Sequence, residues 1–149
     1  MNEFDEKKIK IPDLLLGLYP ACSLDRNSIS LSGCITIDNL LLSQKDTSYM
    51  AEVYRGYYKN DLDPFINPNR ADERLLNHFP VTRFLTATAD GLRDEAVRFI
   101  NKLSKINGVD VKLYDLTYYE HGFMGNDNQF LREVPHSIFF KEIKEMIKK

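Results

Sequence analysis

The order of apolar segments predicts an α/β fold built on a parallel sheet of three strands, and two observations carry that prediction. Three short runs suit buried strands, at about residues 13–19, 82–89 and 109–117, and helical periodicity fills much of the chain between and after them. Strands alternating with helices in this rhythm imply right-handed crossovers and parallel pairing. Sheets of this kind collect ligands and reacting groups at the carboxyl ends of their strands.

Taken in order, residues 1–10 are charged and read as a mobile segment. Leu14-Leu15-Leu16-Gly17-Leu18-Tyr19 is a continuous apolar run ended by Pro20, as suits a strand covered on both faces. Residues 23–44, rich in serine and asparagine, read as a long irregular connection with a helical turn at 37–42, and connections of this length often belong to lids and binding walls. A helix is expected from Thr47 or Ser48, because Met50, Val53, Tyr54 and Tyr57 recur at i, i+3, i+4 and i+7. Tyr49, Tyr54, Tyr57 and Tyr58 are read as its packed face, the alternative being the wall of an acyl or aromatic pocket.

Pro64 and Pro68 make residues 61–69 a loop, and neither Asp61 nor Asp63 is given any chemistry. Residues 71–77 read as a short helix stopped before Pro80. After the strand at 82–89, a helix over 91–106 places Leu92, Ala96, Phe99, Ile100 and Leu103 on one face, and Asn107-Gly108 ends it. The strand at 109–117 alternates Val109, Val111 and Leu113 with polar residues, as an edge or near-edge strand does. A loop through 125–128 leads to a closing helix whose expected buried stripe is Phe139, Ile143, Met146 and Ile147, with lysines at its carboxyl end.

With 43% hydrophobic and 28% charged residues in 149, the chain can bury a sizeable core. A formal net charge of −2 offers no basic footprint for nucleic acid. The longest apolar run falls far short of the roughly 18 residues of a membrane span. Pro12 and Asp13 interrupt the leucines that follow Lys7, Lys8 and Lys10, which argues against a secretory leader. Cys22 and Cys34 lie 12 positions apart without metal-ligand spacing and read as thiols of a reducing, cytoplasmic compartment. His78 and His136 are taken as surface or packing residues, and three scattered histidines make no metal site.

Asp90 and His121 stand apart from these, because each falls just past the carboxyl end of an expected strand. Their 31-position separation leaves room for one helix and one strand between them. Histidine titrates near neutrality and can relay a proton, while a carboxylate behind it fixes its tautomer. On spacing alone Asp90 is equally an N-cap and His121 an exposed turn residue. Asp94 and Glu95 read as first-turn acids that complement the helix dipole, and Arg93 as a structural partner of a nearby acid.

Asp90-Gly91-Leu92-Arg93-Asp94-Glu95, followed by His121-Gly122-Phe123, resembles the acid and histidine segments of the hormone-sensitive lipase family of α/β-hydrolases. Leu15-Leu16-Gly17-Leu18-Tyr19-Pro20-Ala21, Asp63-Pro64-Phe65-Ile66-Asn67-Pro68 and Leu75-Leu76-Asn77-His78-Phe79-Pro80 fit the same family in the same order. Gly91 departs from it, many relatives having proline there. The larger departure is the missing nucleophile elbow, G-x-S-x-G, and the missing H-G-G-G type oxyanion segment. The only serine directly beside a glycine is Ser32, with no second glycine at the required spacing.

The resemblance implies a partial α/β-hydrolase fold, with residues 11–149 as the C-terminal part of one domain and a loop-and-helix insertion at about 22–80. It implies Asp90 and His121 as triad acid and base of a serine carboxylesterase or lipase acting on short or medium acyl esters or acylglycerols, without cofactor or metal. The nucleophile would come from a missing N-terminal half, and peripheral contact with lipid is compatible with such substrates. The strand at 13–19 would lack its neighbour, leaving an edge that invites association with a partner protein or a second copy. A non-catalytic, truncated relative binding through that edge is the alternative function. An unrelated three-layer ligand-binding domain is the third reading, and it predicts that Asp90 and His121 lie too far apart to hydrogen-bond.

Overall fold

The computed structural model describes residues 10–23, 44–56, 62–125 and 127–148. The expected mobility of residues 1–9, the helical turn at 37–42, and Ser32, Cys34, Tyr57, Tyr58 and Asp61 fall outside the described residues.

Among the described residues, three parallel strands form the sheet in the order β1 (Leu14–Leu18), β2 (Val81–Ala89) and β3 (Val111–Glu120). Leu14 pairs with Val81 and Thr82 with Val111, so β2 lies in the middle and is buried along most of its length. All three strands lie where the apolar runs place them, within about three residues at each end. Gly17 opposes Phe84, and a Cβ there would come within 2.6 Å of two Phe84 ring carbons. Only glycine lets the aromatic ring lie against the β1 backbone.

Among the described residues, four α-helices accompany the strands: α1 (Gln44–Arg55), α2 (Glu73–Leu76), α3 (Arg93–Leu103) and α4 (Gln129–Ile147). Asp72 caps α2 by accepting the Leu75 N–H. Ala96, Phe99, Ile100 and Leu103 of α3 are buried as its periodicity requires, and Phe99 stacks on Phe84 of β2. Gly108, at φ +85, turns the chain toward β3.

Two expected apolar faces are corrected. Met50, Val53, Tyr54 and Tyr49 of α1 are exposed, and of its apolar residues only Ala51 is buried. Helical periodicity shows which side of a helix could be covered; it does not supply the surface that covers it. In α4, Phe139, Ile143 and Met146 are half-buried, whereas Ile147 at the last turn is exposed. The deepest residues of that helix are instead Pro135 and Glu142. Glu142 is drawn inward by charge, receiving hydrogen bonds from Arg83 (2.7 Å) and the Tyr114 hydroxyl, with Lys112 at 3.5 Å.

Candidate active site at the carboxyl edge of the sheet

Because β2 and β3 are adjacent, parallel and paired at Ala89 with Glu120, the residues that follow them come out side by side. Those residues are Asp90 and His121. His121 Nδ1 lies 3.0 Å from Asp90 Oδ2, with the Asp90 side chain 1% exposed and the imidazole 22% exposed. The other Asp90 oxygen accepts the Leu92 N–H at 2.9 Å, and its carbonyl accepts the Arg93 N–H. Turn stabilisation and imidazole contact are thus shared between the two oxygens. A carboxylate only accepts, so a proton shared with it sits on Nδ1 and leaves Nε2 as an acceptor.

The path of β3 sets where His121 emerges. Ala87 pairs with Leu116 but Ala89 with Glu120, so β3 spends four residues where β2 spends two. Tyr118 takes up the excess at φ 67, its side chain 93% exposed and its N–H bonded to Thr88 Oγ1. Such a bulge re-aims the residues beyond it. Gly122, at φ 79, then turns the chain sharply into a short 3₁₀ helix at Phe123–Gly125, which buries Phe123.

Across the edge, the residue after β1 completes the wall. Tyr19 adopts φ 40, a left-handed conformation costing a non-glycine residue about 1–3 kcal/mol. Its N–H remains bonded to Leu85 O at 2.8 Å. Its ring lies 4.7 Å from the His121 ring and meets Phe123 edge-on at 5.0 Å.

Glu95 is more than a first-turn acid. It is buried, and Oε2 accepts the Ser23 N–H at 3.0 Å, while the Cys22 N–H also bonds to the carboxylate. Asn69 links the same parts, its side-chain amide donating to Cys22 O and to Glu95 O. Burial pushes the Glu95 carboxyl up to about 7, against the pull of the Ser23 N–H, the Arg98 charge and the Cys22 N–H, with Asp90 adding to the rise. Burial, aided by the Glu95 charge, likewise pushes the Cys22 thiol up to about 12.

Arg93 holds Asp115 of β3 with contacts of 2.5 to 3.0 Å, a structural pairing as expected, and Thr86 Oγ1 donates to the same carboxylate. Those Arg93 bonds, opposed by burial and helped by Thr86, keep Asp115 below the usual carboxylate range. Asp63 stiffens its loop by accepting the Phe65 N–H. His136 packs edge-on against Phe140. Among the described residues, no group of three or more metal-ligating side chains exists, and no helix is long and apolar enough to cross a membrane.

A central parallel sheet delivering a carboxylate and an imidazole at its carboxyl edge is an α/β-hydrolase arrangement. The chain belongs to the alpha/beta hydrolase fold family, whose pattern matches residues 2–125, in agreement with the resemblance to hormone-sensitive lipase relatives. A protein of Acanthamoeba polyphaga mimivirus that bears an alpha/beta hydrolase name is 32% identical over 108 residues, covering 72% of this chain and 30% of that protein. Carboxyl esterase 2 of the fungus Tuber melanosporum superposes with a TM-score of 0.84 at 21% identity, over 97% of this chain and 47% of its own. The hyperthermophilic esterase of the archaeon Pyrobaculum calidifontis gives 0.84 at 22% identity, over 97% and 46%. The chain therefore spans less than half the length of each of these relatives.

Proposed function

We propose that this chain supplies the acid and the base of a serine-type carboxylic ester hydrolase, Asp90 orienting His121 and His121 relaying the proton. The observation that supports this reading is the 3.0 Å Nδ1 to Oδ2 contact between a buried carboxylate and a partly open imidazole at the carboxyl edge of a parallel sheet. In that scheme His121 Nε2 takes the proton of a serine hydroxyl as it attacks the ester carbonyl, then returns it to the leaving alcohol. Water activated by the same nitrogen hydrolyses the acyl-enzyme. Asp90 keeps its charge throughout and stabilises the imidazolium.

The serine and the oxyanion donors come from a segment outside these 149 residues, on a longer or a separate polypeptide, and the substrates are short or medium acyl esters or acylglycerols. The test combines this chain with an N-terminal half carrying G-x-S-x-G and follows nitrophenyl ester hydrolysis and fluorophosphonate labelling. Recovery of both, with turnover lowered about 10³-fold or more by His121→Ala, is the expected result. Labelling and turnover that persist unchanged in His121→Ala would overturn it.

One observation favours a second reading. Among the described residues β1 is an outer strand of the sheet, and Leu15 on it is exposed. A non-catalytic relative would use that edge to add a partner's strand. It predicts stable binding of a partner or a second copy and no esterase activity in any combination.

A further inference from the structure

We infer that Tyr19 is a positioning residue for the Asp90–His121 pair: its ring, packed against both the His121 and Phe123 rings, fixes the plane in which the imidazole presents Nδ1 to Asp90, and the segment that follows it, anchored at the buried Cys22 and Ser23, holds it there. The inference rests on the reading of that pair given above and concerns a different element, the strand end of β1.

Three observations meet at Tyr19. The first is its conformation. A β-strand that simply continued would point the side chain along the pleat, but at φ 40 the chain breaks the pleat in one residue while keeping the ladder hydrogen bond to Leu85 O. Left-handed tyrosine persists only where its surroundings over-determine it. The second is the contact itself. The ring meets His121 tilted by 58° at 4.7 Å and Phe123 at 89° and 5.0 Å, so the imidazole packs against an aromatic wall that Phe123 braces, and turning about χ2 would give up that packing. Without such a wall, one hydrogen bond to Asp90 would leave the ring free to tilt.

The third observation is what keeps Tyr19 in place. The segment after it is tied down at Cys22 and Ser23 by the Glu95 carboxylate and by Asn69, whose backbone N–H and side-chain amide both donate to Cys22 O. Lys102 secures the same turn from α3, donating to Asn69 O at 3.0 Å and to Ala71 O. Glu95 starts from the helix that follows Asp90, so the acid and the strut behind the histidine are referenced to one element. A shift of the 20–23 segment is therefore passed to the imidazole through Tyr19.

The test is read on this chain alone, by long-range ¹⁵N–¹H spectra of the His121 imidazole at a pH where the ring is neutral. The wild-type chain is expected to show one tautomer, with an Nδ1–H line that Asp90→Asn abolishes. Tyr19→Phe keeps the ring and is expected to keep this signature. Tyr19→Gly, which suits φ 40 but removes the wall, is expected to lower the tautomer ratio about tenfold, the scale of one charge-assisted hydrogen bond. Glu95→Gln should fall between the two. Circular dichroism and a urea midpoint establish that each variant is folded, and Tyr19→Leu replaces Tyr19→Gly if that variant does not fold.

A folded Tyr19→Gly or Tyr19→Leu with the wild-type signature would overturn the inference while leaving the Asp90–His121 pair standing. A signature unmoved by Asp90→Asn would remove the pair and this inference together.

Discussion

Arg83 and Asp90 stand near opposite ends of β2 and meet opposite kinds of company. Arg83, although buried, is closed in on every side. It binds Glu142 at 2.7 Å, both Asp110 oxygens at 3.0 and 2.9 Å, and the carbonyls of Thr82 and Asp110. Burial opposes its charge, yet those carboxylates raise the guanidinium further still, and Glu142 is in turn held below its usual range by Tyr114 and Arg83 despite being 2% exposed. The Asp90 side chain instead meets the Leu92 N–H and one ionisable hydrogen-bond partner, the His121 imidazole, which is 22% exposed at the carboxyl edge of the sheet. A cluster whose charges are matched against one another pins α4 to the sheet. A pair that leaves one acceptor over can move a proton.

Breaking the closed end should produce the largest effect. Arg83→Ala strands the buried Glu142 carboxylate and is expected to cost about 3–5 kcal/mol in urea unfolding. Arg83→Met with Glu142→Leu should recover most of that loss, and neither change should disturb the His121 Nδ1–H line in folded material. Recovery failing in the double variant would mean that the cluster contributes more than charge compensation.

The two ends should also answer pH with opposite sign. The folded chain holds the Glu95 proton to about pH 7, whereas the unfolded chain releases it near the ordinary carboxyl value of 4.5. Between those values the folded state binds more protons, so stability from this group is full below about 4.5, declines as pH rises toward 7, and is level above, the total change being on the order of 3 kcal/mol. Glu142 and Asp115, both held low, act in the other window and lose their contribution as pH falls below the usual carboxylate range. Urea midpoints taken from pH 3 to 8 should therefore peak near pH 4 to 5, and Glu95→Gln should flatten the upper limb.

Smaller changes sharpen the contrast. Gly17→Ala drives a Cβ into the Phe84 ring and is expected to cost about 1–3 kcal/mol, with a disturbed Tyr19–His121 contact visible in the same imidazole spectra. Asp72→Ala removes the α2 cap, remote from both charged ends, and should cost about 1 kcal/mol with no change at His121.

The legible parts of this molecule were those whose partners are near in the chain or in pattern. The β2–α3–β3 unit, its buried face and the emergence of Asp90 and His121 at strand ends follow from periodicity and from parallel pairing. Glu95 looked like an ordinary first-turn acid because its partner, Ser23, is 72 residues away. Glu142 was hidden for the same reason, lying 59 residues from Arg83 within an otherwise apolar stripe. Tyr19 gave a weaker signal: a tyrosine directly before proline at the end of an apolar run marks a strand end, but nothing local announces a left-handed φ. The α1 face failed differently, since its spacing was right but its large apolar residues are exposed among the described residues.

The sheet order also bears on how the chain acquires its structure. The ladder joining Leu14 to Val81 closes a loop more than twice as long as the one joining Thr82 to Val111. Loop closure disfavours the longer connection, so β2, α3 and β3 form the unit that can condense first, with β1 docking later. Asp90 and His121 thus meet within the early unit, while Tyr19 is delivered with the late strand. Substitutions in β2 and β3 should then slow refolding, whereas substitutions at Gly17 or Tyr19 should act mainly by hastening unfolding.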